Sequence, residues 1–214
     1  MKNLLMACVF LLLCACGSPD KQENTDSETL NLLHQLEPFT ADSLVNVVIE
    51  IPAGSNQKWE VNKKTGIIEW EQITPDSFRV INYLPYPANY GFVPQTLLDE
   101  ATGGDGDAAD IFVLGPSLQR ETTSQVRIIA IIHMLDDDEM DSKLLAVDVN
   151  EPGFNIHSYK MLMEEYPGVV DILKLWLLNY KGTGGVEILS VNDERDALDF
   201  LKTAHTDYIE QQNN

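Results

Sequence analysis

Two groups of carboxylates in this sequence have the spacing of cation-binding residues. The first lies in residues 103–110, where Asp105, Asp107 and Asp110 share a short stretch with three glycines. The second is the acidic run at residues 136–141, just before Lys143. Two like charges about 4 Å apart repel by roughly 4 kcal/mol near a protein surface, so converging carboxylates need a cation or a proton. Oxygen ligands without His or Cys favour Mg²⁺, Mn²⁺ or Ca²⁺ over zinc.

Each group also has a simpler interpretation. Charged residues are mostly solvent-exposed, so an acidic run such as residues 136–141, taken alone, is usually a solvated loop. For the first group the competing interpretation is an EF-hand calcium loop. That pattern needs a ligand at the fifth position and Gly at the sixth, where this chain has Ala109 and Asp110, so the EF-hand is excluded.

The signatures of several other enzyme classes are missing. The sequence has no G-x-S-x-G, G-x-x-x-x-G-K-[ST] or H-E-x-x-H motif. Its four histidines, His34, His133, His157 and His205, have no ligand-like spacing. Any chemistry must therefore come from carboxylates, hydroxyls and cations.

The two acidic groups occur in order with five other short motifs. These are Glu50-Ile51-Pro52, Lys58-Trp59-Glu60, Arg79, Tyr86-Pro87-Ala88-Asn89-Tyr90-Gly91 and Tyr180-Lys181. Each motif alone is uninformative. Taken together, over roughly two-thirds of the chain from residue 45 to 181, they closely resemble the soluble inorganic pyrophosphatases of family I.

The resemblance implies a fold, a cofactor and a reaction. The fold is α+β, an OB-like five-stranded β-barrel with flanking C-terminal helices. The cofactor is Mg²⁺, with Mn²⁺ as an alternative, and the substrate is pyrophosphate. A metal-bridged hydroxide attacks one phosphorus directly and gives two phosphates, with no covalent enzyme intermediate. Metals suit this chemistry because they acidify water and neutralise phosphoryl oxygens.

The resemblance also implies residue roles. Asp107 is the base that takes the proton from water, and Lys58, Arg79 and Tyr90 are catalytic beside it. The activating metals are held by Asp105, Asp110 and Asp141, and the metals that arrive with substrate by Asp136 and Glu50. The phosphates are bound by Lys58, Arg79, Tyr90, Lys143, Tyr180 and Lys181, while Glu60 and Tyr86 support the site.

One stretch departs from the family pattern. After its central aspartate the family has proline and then a larger apolar residue, where this chain has Ala108 and Ala109. Proline fixes φ near −65°, so its loss leaves the loop less rigid without removing a ligand. We expect a working enzyme that is slower or needs more metal.

The hydrophobic pattern supplies elements that position these residues. Strands are predicted at residues 45–51, 58–61, 66–72, 78–83, 111–114, 126–134 and 143–149, with a hairpin turn at 62–65. Helices are predicted at residues 168–181, which end at Gly182, and at 193–211, where Ala197, Leu201, Ala204 and Tyr208 form one stripe. Residues 30–41 are either a short helix or a lead-in to the fold.

Length and charge limit the other function classes. A chain of 214 residues with 44% hydrophobic and 22% charged residues is long enough for one domain with its own core. The formal net charge of −20 opposes binding to nucleic acid, because the phosphate backbone is itself anionic. An anionic partner therefore needs cations between it and the protein. The sequence is compatible with a monomer and with a homo-oligomer.

The first residues predict export and a lipid anchor. Lys2 precedes an apolar run at residues 4–13, which is too short to span a bilayer and is typical of a signal peptide. The stretch 13–17 resembles the lipobox of bacterial lipoproteins, with Cys16 as the lipidated residue; an ordinary signal peptide or an uncleaved anchor is the alternative. We therefore expect a signal peptide at 1–16, a polar tether and lead-in at 17–41, and the pyrophosphatase domain at 42–214. The mature protein is expected outside the cytoplasm, anchored to a bacterial membrane.

A second function is compatible with the same acidic groups. A non-catalytic OB-like module could bind a divalent cation, a saccharide or a protein without any reaction. The cations separate the two hypotheses. A metal sink needs only Asp and Glu, whereas Arg79, Lys143 and Lys181 have a purpose only if an anion binds among the carboxylates.

Overall fold

The protein is described by a computed structural model over residues 30–42 and 44–213. Cys16, the predicted signal peptide and most of the predicted tether lie outside the described residues. The strands are β1 (Val45–Ile51), β2 (Trp59–Val61), β3 (Ile68–Trp70), β4 (Gln72–Thr74), β5 (Ser77–Phe78), β6 (Asn89–Phe92), β7 (Asp110–Leu114), β8 (Thr123–Asp136), β9 (Glu139–Met140), β10 (Lys143–Asp148) and β11 (Val186–Asp193). The helices are α1 (Tyr159–Glu165), α2 (Val169–Leu177) and α3 (Glu194–Gln212).

Five strands close into a barrel. They pair in the order β1-β6-β7-β10-β8, and β8 pairs again with β1. The β7–β10 pair is parallel and the other pairs around the ring are antiparallel. β8 is 14 residues long, which lets it pair with β1 near its start and with β11 near its end. The predicted α+β fold with a five-stranded barrel and C-terminal helices is confirmed.

Alternate residues of the barrel strands enter two apolar clusters, as the period of two in a strand requires. In β7, Ile111 and Val113 pack with α3, whereas Phe112 and Leu114 pack in the cluster that contains α1 and α2. The stripe predicted on α3 is confirmed. Its members Ala197, Leu201, Ala204 and Tyr208 are all buried.

Two short hairpins stand apart from the barrel sheet. β2 pairs with β3 around the predicted turn at residues 62–65, and β4 pairs with β5. The strand predicted over 78–83 is therefore wrong in extent. Only Phe78 belongs to a strand, and the segment that follows is irregular apart from a single bridge at Val80.

Other predicted elements need correction as well. The stretch 86–91, which contains Pro87 and Asn89, contributes residues 89–91 to β6, a fully buried barrel strand. β11 and α1 were not predicted. α2 ends at Leu177 rather than at residue 181, and turns lead from there to Gly182. Short elements carry little periodicity, so their burial depends on contacts with distant residues.

The lead-in contacts the barrel. Leu33 is buried in a cluster with Val48, Ile68 and Phe92. The Leu32 N–H donates to the carbonyl of Gly66, which ties this segment to the β2–β3 turn. Within the described part of the chain, no helix is long and apolar enough to cross a membrane.

Candidate active site

One cavity of about 630 Å³ collects the predicted site residues. Every predicted catalytic, substrate-binding, metal-binding or supporting residue lines it except Tyr86: Glu50, Lys58, Glu60, Arg79, Tyr90, Asp105, Asp107, Asp110, Asp136, Asp141, Lys143, Tyr180 and Lys181. Tyr86 lies beneath the cavity wall. Its buried ring contacts Tyr90 with centroids 5.2 Å apart and Trp176 with centroids 4.5 Å apart.

The barrel strands place several charged groups at their ends. Asp110 is the first residue of β7, Lys143 is the first of β10, and Asp136 is the last of β8. Because β7 and β10 are parallel neighbours, their first residues lie at the same edge of the sheet. The ammonium of Lys143 contacts both Asp110 and Asp141, and the hydroxyl of Tyr90 donates to Asp110 at 2.6 Å.

Burial sets the proton affinities in this group. Burial of the Lys143 ammonium lowers its pKa, but the nearby Asp110 and Asp141 outweigh that effect and raise the pKa above its ordinary value. Burial raises the pKa of Asp141, and the opposing pull of Lys143 is smaller. Lys143 therefore stays charged at neutral pH.

Glu50 is a buried acid on β1. Its carboxylate accepts a hydrogen bond from the Val61 N–H at 2.6 Å, and its side chain faces the cavity from inside the sheet. Burial, reinforced by the charge of Asp110, raises the pKa of Glu50 to about 8. A carboxylate with so high a pKa lacks a sufficient counter-charge.

The loop at residues 103–110 presents Asp105 and Asp107. Gly103 and Gly106 have φ of 93° and 74°, in the left-handed region that glycine adopts without strain. The Asp107 N–H donates to the carboxylate of Asp105 at 2.9 Å. Burial raises the pKa of Asp105 to about 6.

The second acidic group divides between the cavity and the solvent. Residues 136–139 form the turn between β8 and β9, with Asp137 and Asp138 exposed at positive φ. Asp136 and Asp141, on either side of this hairpin, line the cavity. Asp137 and Asp138 thus fit the interpretation of a solvated loop, whereas Asp136 and Asp141 fit the interpretation of a cation-binding group.

The other three basic side chains of the cavity, Lys58, Arg79 and Lys181, each contact a different carboxylate. Lys58 contacts Glu60 at 2.7 Å, Arg79 contacts Glu71 at 2.9 Å, and Lys181 contacts Asp136. Burial of the Lys58 ammonium lowers its pKa, but Tyr86, Glu60 and Asp110 together raise it well above its ordinary value. Tyr180 stacks on Trp176 with ring planes 9° apart, which fixes its hydroxyl beside the cavity.

Sequence reasoning missed two residues of this site. Lys63, in the β2–β3 turn, contacts the carboxylate of Asp107 and donates to the Gly106 carbonyl at 3.1 Å. Glu71 accepts from the guanidinium of Arg79 with both carboxylate oxygens. Neither had a signal in the sequence, because a lysine in a polar turn and a glutamate between short strands are ordinary surface residues.

The residues fit a divalent cation by their chemistry. The donors are carboxylate oxygens, and one of them, Asp136 Oδ1, is buried with no hydrogen-bond partner among the described residues. The raised pKa values of Glu50, Asp105 and Asp141 also indicate carboxylates short of positive charge. Over residues 30–42 and 44–213, no group of three His, Cys, Asp or Glu side chains is arranged to hold one ion. Lys143 contacts Asp110 and Asp141, and Lys181 contacts Asp136, so a metal would have to displace these ammonium groups from the carboxylates.

Comparison with known proteins identifies the family. The family model described as inorganic pyrophosphatase matches residues 47–209 of this chain. The chain belongs to the inorganic pyrophosphatase family. The inorganic pyrophosphatase of Campylobacter jejuni is 32% identical over 168 residues, covering 77% of this chain and 91% of its own. The soluble inorganic pyrophosphatase of Zea mays is 31% identical, covering 80% and 77%.

A solved structure agrees in fold. The inorganic pyrophosphatase of Thermus thermophilus superposes with a TM-score of 0.71 at 26% identity, covering 84% of this chain and 99% of its own. The match to family members therefore extends from the barrel into the C-terminal helices.

Proposed function

We propose that this protein hydrolyses inorganic pyrophosphate to two phosphates. The observation that carries the proposal is a single cavity in which Arg79, Lys143 and Lys181 stand among carboxylates. Acidic residues alone would bind a cation, and basic residues alone would bind an anion. A cavity with both kinds of residue suits an anion bridged to the protein by divalent cations. The inorganic pyrophosphatases among its relatives support the same reaction.

The basic side chains hold the substrate. The Arg79 guanidinium can bind phosphate oxygens with two N–H groups, and the ammonium groups of Lys58, Lys143 and Lys181 neutralise further oxygens. The hydroxyls of Tyr90 and Tyr180 are donors at the cavity wall. Burial raises the pKa of both tyrosines, so their hydroxyls remain protonated. Such fixed donors favour the charge that develops on the leaving phosphate.

Asp107 is the proposed base. Its carboxylate lines the cavity, is half exposed and contacts Lys63, so it can reach a water molecule there. A base within hydrogen-bond reach of the attacking water removes its proton as the bond to phosphorus forms. The bond to the bridging oxygen then breaks, and the second phosphate leaves with the electron pair.

The proposed cofactor is Mg²⁺, which Asp105, Asp110 and Asp141 would hold, while Asp136 and Glu50 would bind the metal that arrives with the substrate. When bound, it would supply Lewis acidity, lowering the pKa of water from about 15.7 toward about 7 and neutralising phosphate oxygens. Hard oxygen donors suit Mg²⁺, and Mn²⁺ is the alternative with the same donor preference.

The direct test is phosphate release from pyrophosphate by the purified protein. We expect release with Mg²⁺, none with excess chelator, and recovery when Mg²⁺ is restored. Arg79→Ala should retain metal binding but raise the KM for pyrophosphate by about 10- to 100-fold, the effect of losing a charged hydrogen bond worth about 1.5–3 kcal/mol. Phosphate release that is absent under every metal condition, with Mg²⁺ still bound, would instead support the non-catalytic cation-binding module.

We further propose that the protein is exported and anchored through a lipid on Cys16. The support is the sequence alone, namely Lys2, the short apolar run and the lipobox-like stretch. Two or more acyl chains give stable anchoring, whereas one chain binds reversibly.

Cell fractionation of the full chain tests the anchor. Wild-type protein should partition into detergent-extractable membranes and incorporate labelled fatty acid, and Cys16→Ser should do neither. Equal membrane retention of both forms, with residues 1–15 still present by mass spectrometry, would show an uncleaved anchor instead.

A further inference from the structure

Three aromatic rings stack on one another next to the segments that carry Lys58 and Arg79. These rings are Trp59, Trp70 and Phe78, which we call the aromatic stack. The Trp59 and Trp70 centroids are 5.6 Å apart with ring planes at 16°, and those of Trp70 and Phe78 are 4.7 Å apart at 25°. Trp59 belongs to one of the motifs noted in the sequence, but the stacking of the three rings was not predicted.

The aromatic stack joins three short strands, of which β2 and β5 each adjoin a cationic site residue. Trp59 lies on β2 directly after Lys58, and it pairs with Trp70 across the β2–β3 hairpin. Phe78 ends β5 and directly precedes Arg79. Successive residues of an extended chain point to opposite sides, so a ring held on one side orients the next side chain toward the other.

One end of the stack is anchored to the barrel. The Arg120 guanidinium carbon lies 3.7 Å from the Trp59 ring centroid, a cation–π contact. The Arg120 Nε donates to the Glu50 carbonyl on β1 at 3.0 Å. The other end is open, because Phe78 is 43% exposed.

Hydrogen bonds add a second link between Trp70 and Arg79. The indole Nε1–H of Trp70 donates to the Arg79 carbonyl at 2.8 Å, and the Lys58 N–H donates to the same carbonyl at 3.1 Å. The Arg79 N–H donates to the Glu71 carbonyl at 2.8 Å, and the Glu71 N–H donates to the Lys58 carbonyl at 3.0 Å. The Arg79 carbonyl thus accepts from both the Lys58 backbone and the Trp70 indole, and the Arg79 N–H is tied to Glu71.

Without these links the Arg79 segment has weak support. β4 and β5 pair only with each other, are three and two residues long, and are exposed throughout. An isolated two-stranded hairpin is marginally stable in water. The position of Arg79 therefore depends on contacts made outside its own strands.

We propose that Trp70 is a positioning residue, which holds Arg79 at the cavity through the aromatic stack and its indole hydrogen bond. The proposal rests on the role assigned to Arg79 in phosphate binding. It adds that this role depends on a residue that does not touch the substrate. Phe78 is the second positioning residue, at the open end of the same stack.

Steady-state kinetics with pyrophosphate and Mg²⁺ test the proposal. Trp70→Leu removes the ring and the donor, and we expect the KM to rise on the order of tenfold with a smaller change in kcat, since a misplacement of about 1 Å can cost up to about 100-fold. Trp70→Phe keeps a ring and removes only the donor, so its effect should be intermediate. Ile73→Ala, on the neighbouring β4–β5 hairpin that also carries Phe78, is 63% exposed; it is the control and should keep the parental KM.

A double-mutant cycle separates positioning from general damage. If Trp70 acts through Arg79, adding Trp70→Leu to Arg79→Ala should leave the KM of the single Arg79→Ala variant unchanged. An equal rise in both backgrounds would overturn the proposal. Phe78→Leu should follow the same pattern, and it provides the test if Trp70→Leu does not fold.

The outcomes also separate this inference from the proposed function. A parental KM in Trp70→Leu beside a raised KM in Arg79→Ala would overturn the positioning role and keep Arg79 as a phosphate ligand. A parental KM in Arg79→Ala would overturn the assignment of Arg79 itself. Near-ultraviolet circular dichroism of the stacked Trp59–Trp70 indole pair, measured on Phe78→Leu, which keeps both indoles, reports independently of turnover whether the stack is lost.

Discussion

At the scale of single residues, the site is a balance between buried carboxylates and buried ammonium groups. Lys143 is buried and contacts Asp110 and Asp141, yet Asp136 keeps one oxygen without a partner among the described residues. Removing one member of a buried ion pair leaves an uncompensated charge, which is strongly destabilising. Substitutions of Lys143 are therefore expected to affect folding as well as substrate binding.

Asp107 is better suited to a test of chemistry, because its side chain is half exposed. Asp107→Asn keeps the size of the side chain and removes its capacity to accept a proton. We expect kcat to fall by about 10²- to 10⁴-fold, the usual contribution of a general base. Asp76→Asn, at an exposed position in the β4–β5 turn, is the control and should keep the parental kcat. Parental turnover in Asp107→Asn would show that another group takes the proton.

The raised pKa of Glu50 predicts how the free energy of unfolding of the metal-free protein depends on pH. Burial raises its pKa from an ordinary 4.5 to about 8, so between these pH values the folded protein binds more protons than the unfolded chain. The free energy of unfolding should therefore fall as pH rises through this window, by up to about 1.4 kcal/mol per pH unit. Asp105, whose pKa is raised from 3.8 to about 6, acts in the same direction over a lower window.

Denaturant unfolding in the presence of a chelator measures this dependence. Glu50→Gln cannot ionise, so its free energy of unfolding should vary less with pH than that of the parent. Glu187→Gln, at an exposed position on β11, should retain the parental slope. Identical slopes for Glu50→Gln and the parent would mean that Glu50 does not titrate in this range.

At the scale of elements, the second half of the loop at residues 103–110 is held by hydrogen bonds to Thr96 and Leu98. The Leu98 N–H donates to the Asp107 carbonyl at 2.8 Å, and the Ala109 N–H donates to the Thr96 hydroxyl at 2.9 Å. The Ala108 N–H donates no hydrogen bond among the described residues. Proline at this position therefore removes no bond.

Ala108→Pro should stiffen this loop. If the local φ accepts proline, we expect stabilisation by about 0.4–1 kcal/mol, because the unfolded chain loses conformational freedom. The Mg²⁺ concentration for half-maximal phosphate release should fall, since Asp105, Asp107 and Asp110 would be better ordered. Thermal unfolding and a Mg²⁺ titration of activity measure the two effects. Lower stability with a higher Mg²⁺ requirement would contradict the expectation.

At the scale of the whole molecule, the excess of acidic residues links metal binding to stability. The net charge is −20, and several carboxylates meet in one cavity. A ligand that binds only the folded state stabilises it, by about 2.7 kcal/mol at a hundredfold excess over its Kd. Mg²⁺ should therefore raise the midpoint of thermal unfolding.

The increase in the midpoint of thermal unfolding caused by Mg²⁺ should be larger at pH 8 than at pH 5.5, because protons compete with the metal for Glu50 and Asp105 at the lower pH. Differential scanning fluorimetry with KCl at matched ionic strength is the control for screening. A shift of equal size with KCl would indicate that Mg²⁺ acts only as a screening ion.

The sequence alone determined the inventory of the site and most of the barrel. Five of the seven predicted strands and the α3 stripe were confirmed nearly as expected, because most of these strands are apolar or β-branched runs and the stripe repeats about every four residues. The strand predicted at 66–72 is divided between β3 and β4, the strand at 78–83 was wrong, and β6, β11 and α1 were missed. Residues 89–91 carry turn-forming neighbours, and only their pairing with β1 and β7 makes them a strand.

Only the tertiary structure decided which charges are partners. Lys143 and Asp110 are 33 residues apart, and Lys181 and Asp136 are 45 apart, so no local pattern relates them. The contact of Lys63 with Asp107 and the stack behind Arg79 likewise join short strands and loops across the fold. Periodicity in a sequence reports which side of an element is buried. The choice of a partner for a buried charge depends on distances that exist only once the barrel has closed.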